Sequence, residues 1–194
     1  MKTPNEGPGD LVADRARLLD LLTRLSYAKK RVTLASGRES DFYIDCKKVV
    51  LTAEGHWLAG RLLYELIRQK TPQATGVGGL TMGADPLASA VSLVSYHHDA
   101  RLNAFLVRKE PKGHGSGQWV EGLGSLAPGA SVAVVEDVVT TGGSAIKAIE
   151  RARAEGLVPV GAFAVVDRQE GGREAIEASG VPAFSLFTRE DFPR

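Results

Sequence analysis

Residues 132–145 read VAVVEDVVTTGGSA. Small apolar residues, most of them β-branched, run into two adjacent carboxylates, Glu136 and Asp137, and then give way to Thr140-Thr141-Gly142-Gly143-Ser144. A short continuous apolar run of this kind reads as a strand buried on both faces, and SAIKAIERARAEG behind it (144–156) reads as an amphipathic helix. At the carboxyl end of such a strand, where parallel sheets hold ligands, two acceptor-only carboxylates suit two neighbouring hydroxyls, as on a ribose. The Thr/Gly turn then opens a helix whose bare N–H groups and positive dipole end suit a phosphate. A sugar phosphate satisfies both halves. A plain strand end with a polar turn and a capped helix would use the same residues, and the segment alone leaves both readings open.

The flanking sequence repeats the alternation. ATGVGG (74–79), NAFLV (103–107), VPVGAFAVV (158–166) and AFSLF (183–187) read as strands, with ADPLASAVSLVSYHH (84–98) and a short stretch near 172–179 as helices. Upstream, residues 11–30 carry Leu11, Leu18, Leu22 and Leu25 at helical spacing. Residues 31–51 alternate around Ser36-Gly37 as two short strands, and 52–70 form a second helix capped by Thr52. The expected fold class is α/β, a central mostly parallel sheet flanked by helices. Residues 1–10 are expected to be a loose tail and 11–194 one domain, in which 11–50 contribute a small N-terminal hood over the sheet edge. Segment 108–124, RKEPKGHGSGQWVEGLG, has no apolar periodicity and is long for a connection, as lids and insertions are.

Composition excludes several classes. A formal charge of +1 argues against a protein that grips nucleic acid through its phosphates. No apolar run approaches the ~18 residues that span a bilayer, so no membrane role is expected. MKTPNEGPGD lacks the apolar stretch of a signal peptide, and a single cysteine, Cys46, has no intrachain partner. A reducing cytoplasm is the expected location. A nucleoside triphosphatase would need G-x-x-x-x-G-K-[ST], and the nearest string, GLTMGADP, lacks the lysine. No G-x-G-x-x-G stands at a strand-to-helix turn, and no G-x-S-x-G elbow makes Ser116 or Ser144 a nucleophile. His97-His98 lack metal-ligand spacing and read as a helix C-cap. Glu136 and Asp137, as sequence neighbours, are not placed like the two carboxylates of a glycosidase.

VVEDVVTTGGSA resembles the phosphoribosyl-pyrophosphate (PRPP) motif of type I phosphoribosyltransferases. RKEPKGHG is similar to the R-K-E-x-K-x-H-G signature of the orotate phosphoribosyltransferase family, and TLASGRESDFYID (33–45) and VVDRQEGG (165–172) resemble that family's other segments in the same order, over roughly residues 15–190. The resemblance implies the type I phosphoribosyltransferase fold and transfer of the phosphoribosyl group from PRPP to orotate in pyrimidine biosynthesis. It implies that Glu136 and Asp137 hold the ribose hydroxyls, that Val138, Val139, Thr140, Thr141, Gly142, Gly143 and Ser144 bind PRPP, and that the Thr/Gly loop among them holds the 5-phosphate. Arg108, Lys109, Lys112 and His114 would serve the pyrophosphate, with Lys109, Lys112, His114 and Asp137 catalytic. Thr140, Arg168, Tyr43 and Ile44 would contact orotate, whose carboxylate suits a guanidinium fork. A surface pair with Asp167 or Glu170 is the alternative for Arg168. Mg²⁺ is expected to arrive mainly on PRPP rather than in a protein cage, and a homodimer is implied in which loop 108–117 reaches the neighbouring site. Three positions depart from the pattern. Ala35 stands where some relatives carry a lysine, whose contact is then absent or supplied by Lys47 or Lys48; Gly83 also stands where some relatives carry lysine, and Glu136 replaces the commoner aspartate. A phosphoribosyltransferase for another base and a PRPP-sensing regulator remain as alternatives.

Overall fold

The structure is a computed structural model that describes residues 10–33, 39–111 and 118–193. In chain order its elements are α1 (Leu11–Leu25), β1 (Tyr27–Thr33), β2 (Glu39–Ile44), α2 (Lys47–Val50), α3 (Ala53–Lys70), β3 (Gly76–Leu80) and α4 (Asp85–Ser95). They continue with β4 (Asn103–Val107), β5 (Val120–Glu121), β6 (Ser131–Val139), α5 (Gly143–Ala154), β7 (Val158–Asp167), α6 (Gly172–Ala178) and β8 (Ala183–Thr188). The main sheet has the order β5-β4-β3-β6-β7-β8. All its ladders are parallel except β4 with β5.

Val, Ala, Gly and Phe dominate the strands because both faces are covered. One core cluster joins Leu18, Leu22, Leu63, Ile67, Val91 and Phe163, and the other gathers Phe105, Val132, Val134, Ile149 and Ile176. The first puts α1, α3 and α4 on one side of the sheet, and the second puts α5 and α6 on the other. Helix starts follow local chemistry. Asp10 accepts from Val12 N at 2.9 Å, and Thr52 accepts from Gly55 N at 3.1 Å. Asp10, at the end of the expected loose tail, thus caps α1; residues 1–9 lie outside the described residues.

Several boundaries differ from the sequence reading. The first helix stops at Leu25 instead of residue 30, because Tyr27, Ala28 and Lys29 pair with Ile44, Tyr43 and Phe42 across a two-stranded antiparallel sheet. The turn of that hairpin, with Ala35 and Ser36-Gly37, lies outside the described residues. Residues 47–50 form the short helix α2 instead of continuing a strand. The α4 helix ends at Ser95, so His97 and His98 follow it in a turn, and His98 stacks on Tyr64 with ring centroids 4.6 Å apart. Within 108–124, Val120 and Glu121 form β5 and pair with Val107 and Leu106. Two residues are too few for alternation to register in sequence.

The β1–β2 hairpin is tied to the chain's other end. Tyr27, Phe42 and Phe192 cluster with centroids 5.1–5.6 Å apart, and Tyr27 Oη donates to Pro193 O at 2.8 Å. Arg15 pairs with Asp191 and Arg189 with Asp41. No helix among the described residues is long and apolar enough to cross a membrane.

Candidate active site

The strand order reverses between β3 and β6: β3 leads to β4 on one side, and β6 leads to β7 and β8 on the other. A crevice opens at the carboxyl edge of a sheet where neighbouring strands part in this way. Pairing of β3 with β6 stops at Gly78 and Val134, whereas β6 continues beside β7 as far as Val139 and Asp167. The acids therefore do not follow the strand, as the sequence suggested; they lie within it, past the point where β3 leaves. The loop after β3 folds over them. A methyl group on Gly83 would stand 2.7 Å from Asp137 Oδ1 and 2.9 Å from Glu136 Oε1, so a side chain here would have to move these carboxylates.

Glu136 and Asp137 are each only 8% exposed. Burial first, and then hydrogen bonding and repulsion from Asp137, push the Glu136 carboxyl up to about 9 from its ordinary 4.5. Burial and Asp137 thus favour the protonated form of Glu136, whose Oε2 has no hydrogen-bond partner among the described residues. Asp137 has a counter-charge. Lys47 Nζ lies 3.1 Å from Asp137 Oδ2 and 3.1 Å from Asp45 Oδ1. Burial opposes the charge on Lys47, but Asp137 and Asp45 outweigh it and raise the ammonium above its ordinary pKa. Of the two lysines proposed to fill in, Lys47 is thus at the acids and Lys48 is exposed. Cys46, just before Lys47, is fully buried, and that burial pushes its thiol well up.

Beyond the acids, Val138 to Ala145 and Glu136 line a cleft of about 120 Å³. Helix α5 starts on its rim at Gly142, whose φ of +79° suits glycine, and no side chain caps the helix. The first intrahelical bond runs from Ile146 N to Gly142 O, so the preceding N–H groups face the cleft unclaimed by the helix. Thr140, Thr141, Gly143 and Ser144 all line this cleft.

Arg168 follows β7, and its N–H donates to Val139 O at 2.9 Å, which sets it beside the cleft. Its guanidinium is buried rather than exposed; it donates to Phe42 O at 2.5 Å and pairs with Glu170 at 3.1 Å. Tyr43 is half-buried on β2, and Ile44 is packed in the core. Arg108 and Lys109 leave the sheet at the carboxyl end of β4, the same edge as the acids. The Arg108 side chain pairs with Glu121 at 3.1 Å, and Lys109 is exposed. Lys112, His114 and Ser116 lie outside the described residues.

No protein-family model matches the chain. The orotate phosphoribosyltransferase of Sorangium cellulosum is 53% identical over 180 residues, which are 93% of each chain. The chain belongs to the orotate phosphoribosyltransferase family. A second member, from Aquifex aeolicus, is 48% identical over 91% of this chain and 96% of its own. The Mycobacterium tuberculosis H37Rv orotate phosphoribosyltransferase, solved in complex with PRPP, superposes with a TM-score of 0.74 at 40% identity, covering 92% of this chain and 98% of that one. The enzyme accordingly transfers the 5-phosphoribosyl group of PRPP to orotate, in pyrimidine biosynthesis. The other readings of the motif, a transferase for a different base and a regulator, fall away.

Sequence reasoning did not find the bond from Lys47 to Asp137, because the two are 90 residues apart and only the fold joins them. The same holds for Arg151, which reaches from α5 to the carbonyls of Arg108 and Lys109.

Proposed function

We propose that Glu136 and Asp137 accept the two ribose hydroxyls of PRPP, that residues 138–144 enclose its 5-phosphate, and that Arg108 and Lys109 meet the pyrophosphate. The buried carboxyl of Glu136, with one oxygen unclaimed at the strand-order switch, carries this reading most directly. A buried acceptor without a donor is costly and awaits one. As the C1–O bond to pyrophosphate breaks, positive charge grows on the ribose and negative charge on the leaving group. Asp137 faces the first and the cations the second. Arg168 would hold the orotate carboxylate, with Thr140 and the half-buried Tyr43 against the ring and Ile44 fixing the strand beneath. His114 and Lys112 extend the cationic set by sequence alone.

Mg²⁺ fits this arrangement as a guest carried mainly by PRPP. Glu136 and Asp137 offer hard oxygen donors to a partly hydrated ion. When bound, the ion screens charge on the departing pyrophosphate.

The working unit is a homodimer in the cytoplasm, with 11–50 as a hood and loop 108–117 serving the neighbouring site. In support, Leu51, Trp57, Leu93 and Val94 line an apolar cleft of about 500 Å³, and Leu51, Trp57 and Leu93 are substantially exposed. A face of this kind is characteristic of an interface. The lone buried Cys46 accords with a reducing compartment.

The residue assignment is tested with Lys109→Ala, assayed by the absorbance change of orotate with PRPP and Mg²⁺. The expected result is a loss in kcat on the order of a hundredfold with PRPP affinity nearly kept, since the charge it meets develops in the transition state. An unchanged rate would remove Lys109 from the mechanism.

A further inference from the structure

The segment that bears Lys109 is anchored by a residue with no assigned role. Arg151 lies on α5, eight residues after Gly143, so about 12 Å along the helix from the phosphate cleft. One guanidinium nitrogen donates to Arg108 O and the other to Lys109 O, the latter at 3.2 Å. The same guanidinium lies 3.8 Å from the ring centroid of Trp119, close enough for a strong cation–π contact. Trp119 is in turn bound to the other end: its carbonyl accepts from Arg108 N at 2.9 Å. One planar group thus holds two consecutive carbonyls on the outgoing chain and the indole on the returning chain.

We propose that Arg151 is a positioning residue for Lys109, fixing the direction in which the chain leaves β4. The proposal rests on the role given above to Lys109. Apart from Arg151, the Arg108 side chain also ties this backbone, donating from Nε to Glu110 O at 3.3 Å while pairing with Glu121, and Lys109 itself is exposed. A fork with two donors and a flat face meets all three acceptors at once, and lysine, as a point charge, cannot. Because α5 begins at the cleft proposed to hold the 5-phosphate, one rigid helix carries that cleft at its start and the root of the Lys109 segment further along, and so fixes the direction in which Lys109 leaves its own subunit.

The test is a double-mutant cycle. Arg151→Gln is expected to lower kcat about tenfold while the KM for PRPP changes less than about threefold, because an ill-placed cation is missed most in the transition state. Arg151→Lys should recover only part of that loss. Trp119 emission, taken as the difference from the matching Trp119→Phe protein, should shift in Arg151→Gln and not in a distant surface variant such as Lys48→Gln. In a Lys109→Ala background, Arg151→Gln should cost less than about twofold, since it acts through Lys109. An equal cost in both backgrounds, or full rescue by lysine, would overturn the proposal while leaving the Lys109 assignment standing. If Lys109→Ala itself is silent, it is the assignment that fails. Circular dichroism and a melting curve on each variant separate these outcomes from misfolding.

Discussion

Glu136 and Asp137 sit in different surroundings: Lys47 pairs with Asp137 as well as with Asp45, whereas burial and the neighbouring Asp137 raise the Glu136 carboxyl and favour its protonated form. Ribose hydroxyls favour the ionised form of Glu136 when they donate to it, so binding should expel its proton. Calorimetry at pH 7 in buffers of differing ionisation enthalpy is expected to show release of about one proton per PRPP bound, vanishing in Glu136→Gln. PRPP affinity should rise between pH 7 and 9 and level off above. Stability runs the other way. The folded protein keeps a proton that the unfolded chain sheds above 4.5, so this group's contribution is full below pH 4.5 and is lost as pH rises toward about 9. Glu136→Gln should flatten that decline; a variant that declines as the parent does would show that the proton sits elsewhere.

Between elements, the loop proposed to hold the 5-phosphate and α6 meet through two glycines. A methyl on Gly142 would stand 2.7 Å from Gly172 O, and one on Gly172 would stand 2.6 Å from Thr140 O. Gly129 has a similar φ of +73° but nothing within 4 Å. Gly129→Ala therefore measures the backbone cost alone, about 1–2 kcal/mol, and Gly142→Ala should exceed it and weaken PRPP binding as well. Equal melting points for the two variants would mean that the close approach is unimportant. This contact was invisible in sequence, although the glycines themselves were not. What the sequence displayed was whatever is contiguous: the apolar strands, the acid pair, and the Thr/Gly turn. It failed where long-range pairing overrode local pattern, as at residues 26–30, whose helical continuation from α1 yields to a ladder with β2. It failed again at β5, which exists because β4 lies beside it.

For the whole molecule, the test of shared sites is complementation. Lys109→Ala and Asp137→Asn proteins, each expected to be nearly inactive, are mixed so that the proposed dimers can exchange subunits. If the loop serves the neighbouring subunit, each hybrid has one intact site, and random reassortment should restore about a quarter of the wild-type rate. If it serves its own subunit, nothing is regained. Leu93→Asp, on the exposed apolar face, should shift sedimentation toward the single chain. The fully enclosed thiol of Cys46 has a practical consequence for such work. Maleimide dyes would leave the native sequence unmarked, so a cysteine introduced anywhere on the exterior becomes a unique handle for fluorescence distance measurements without first stripping the background.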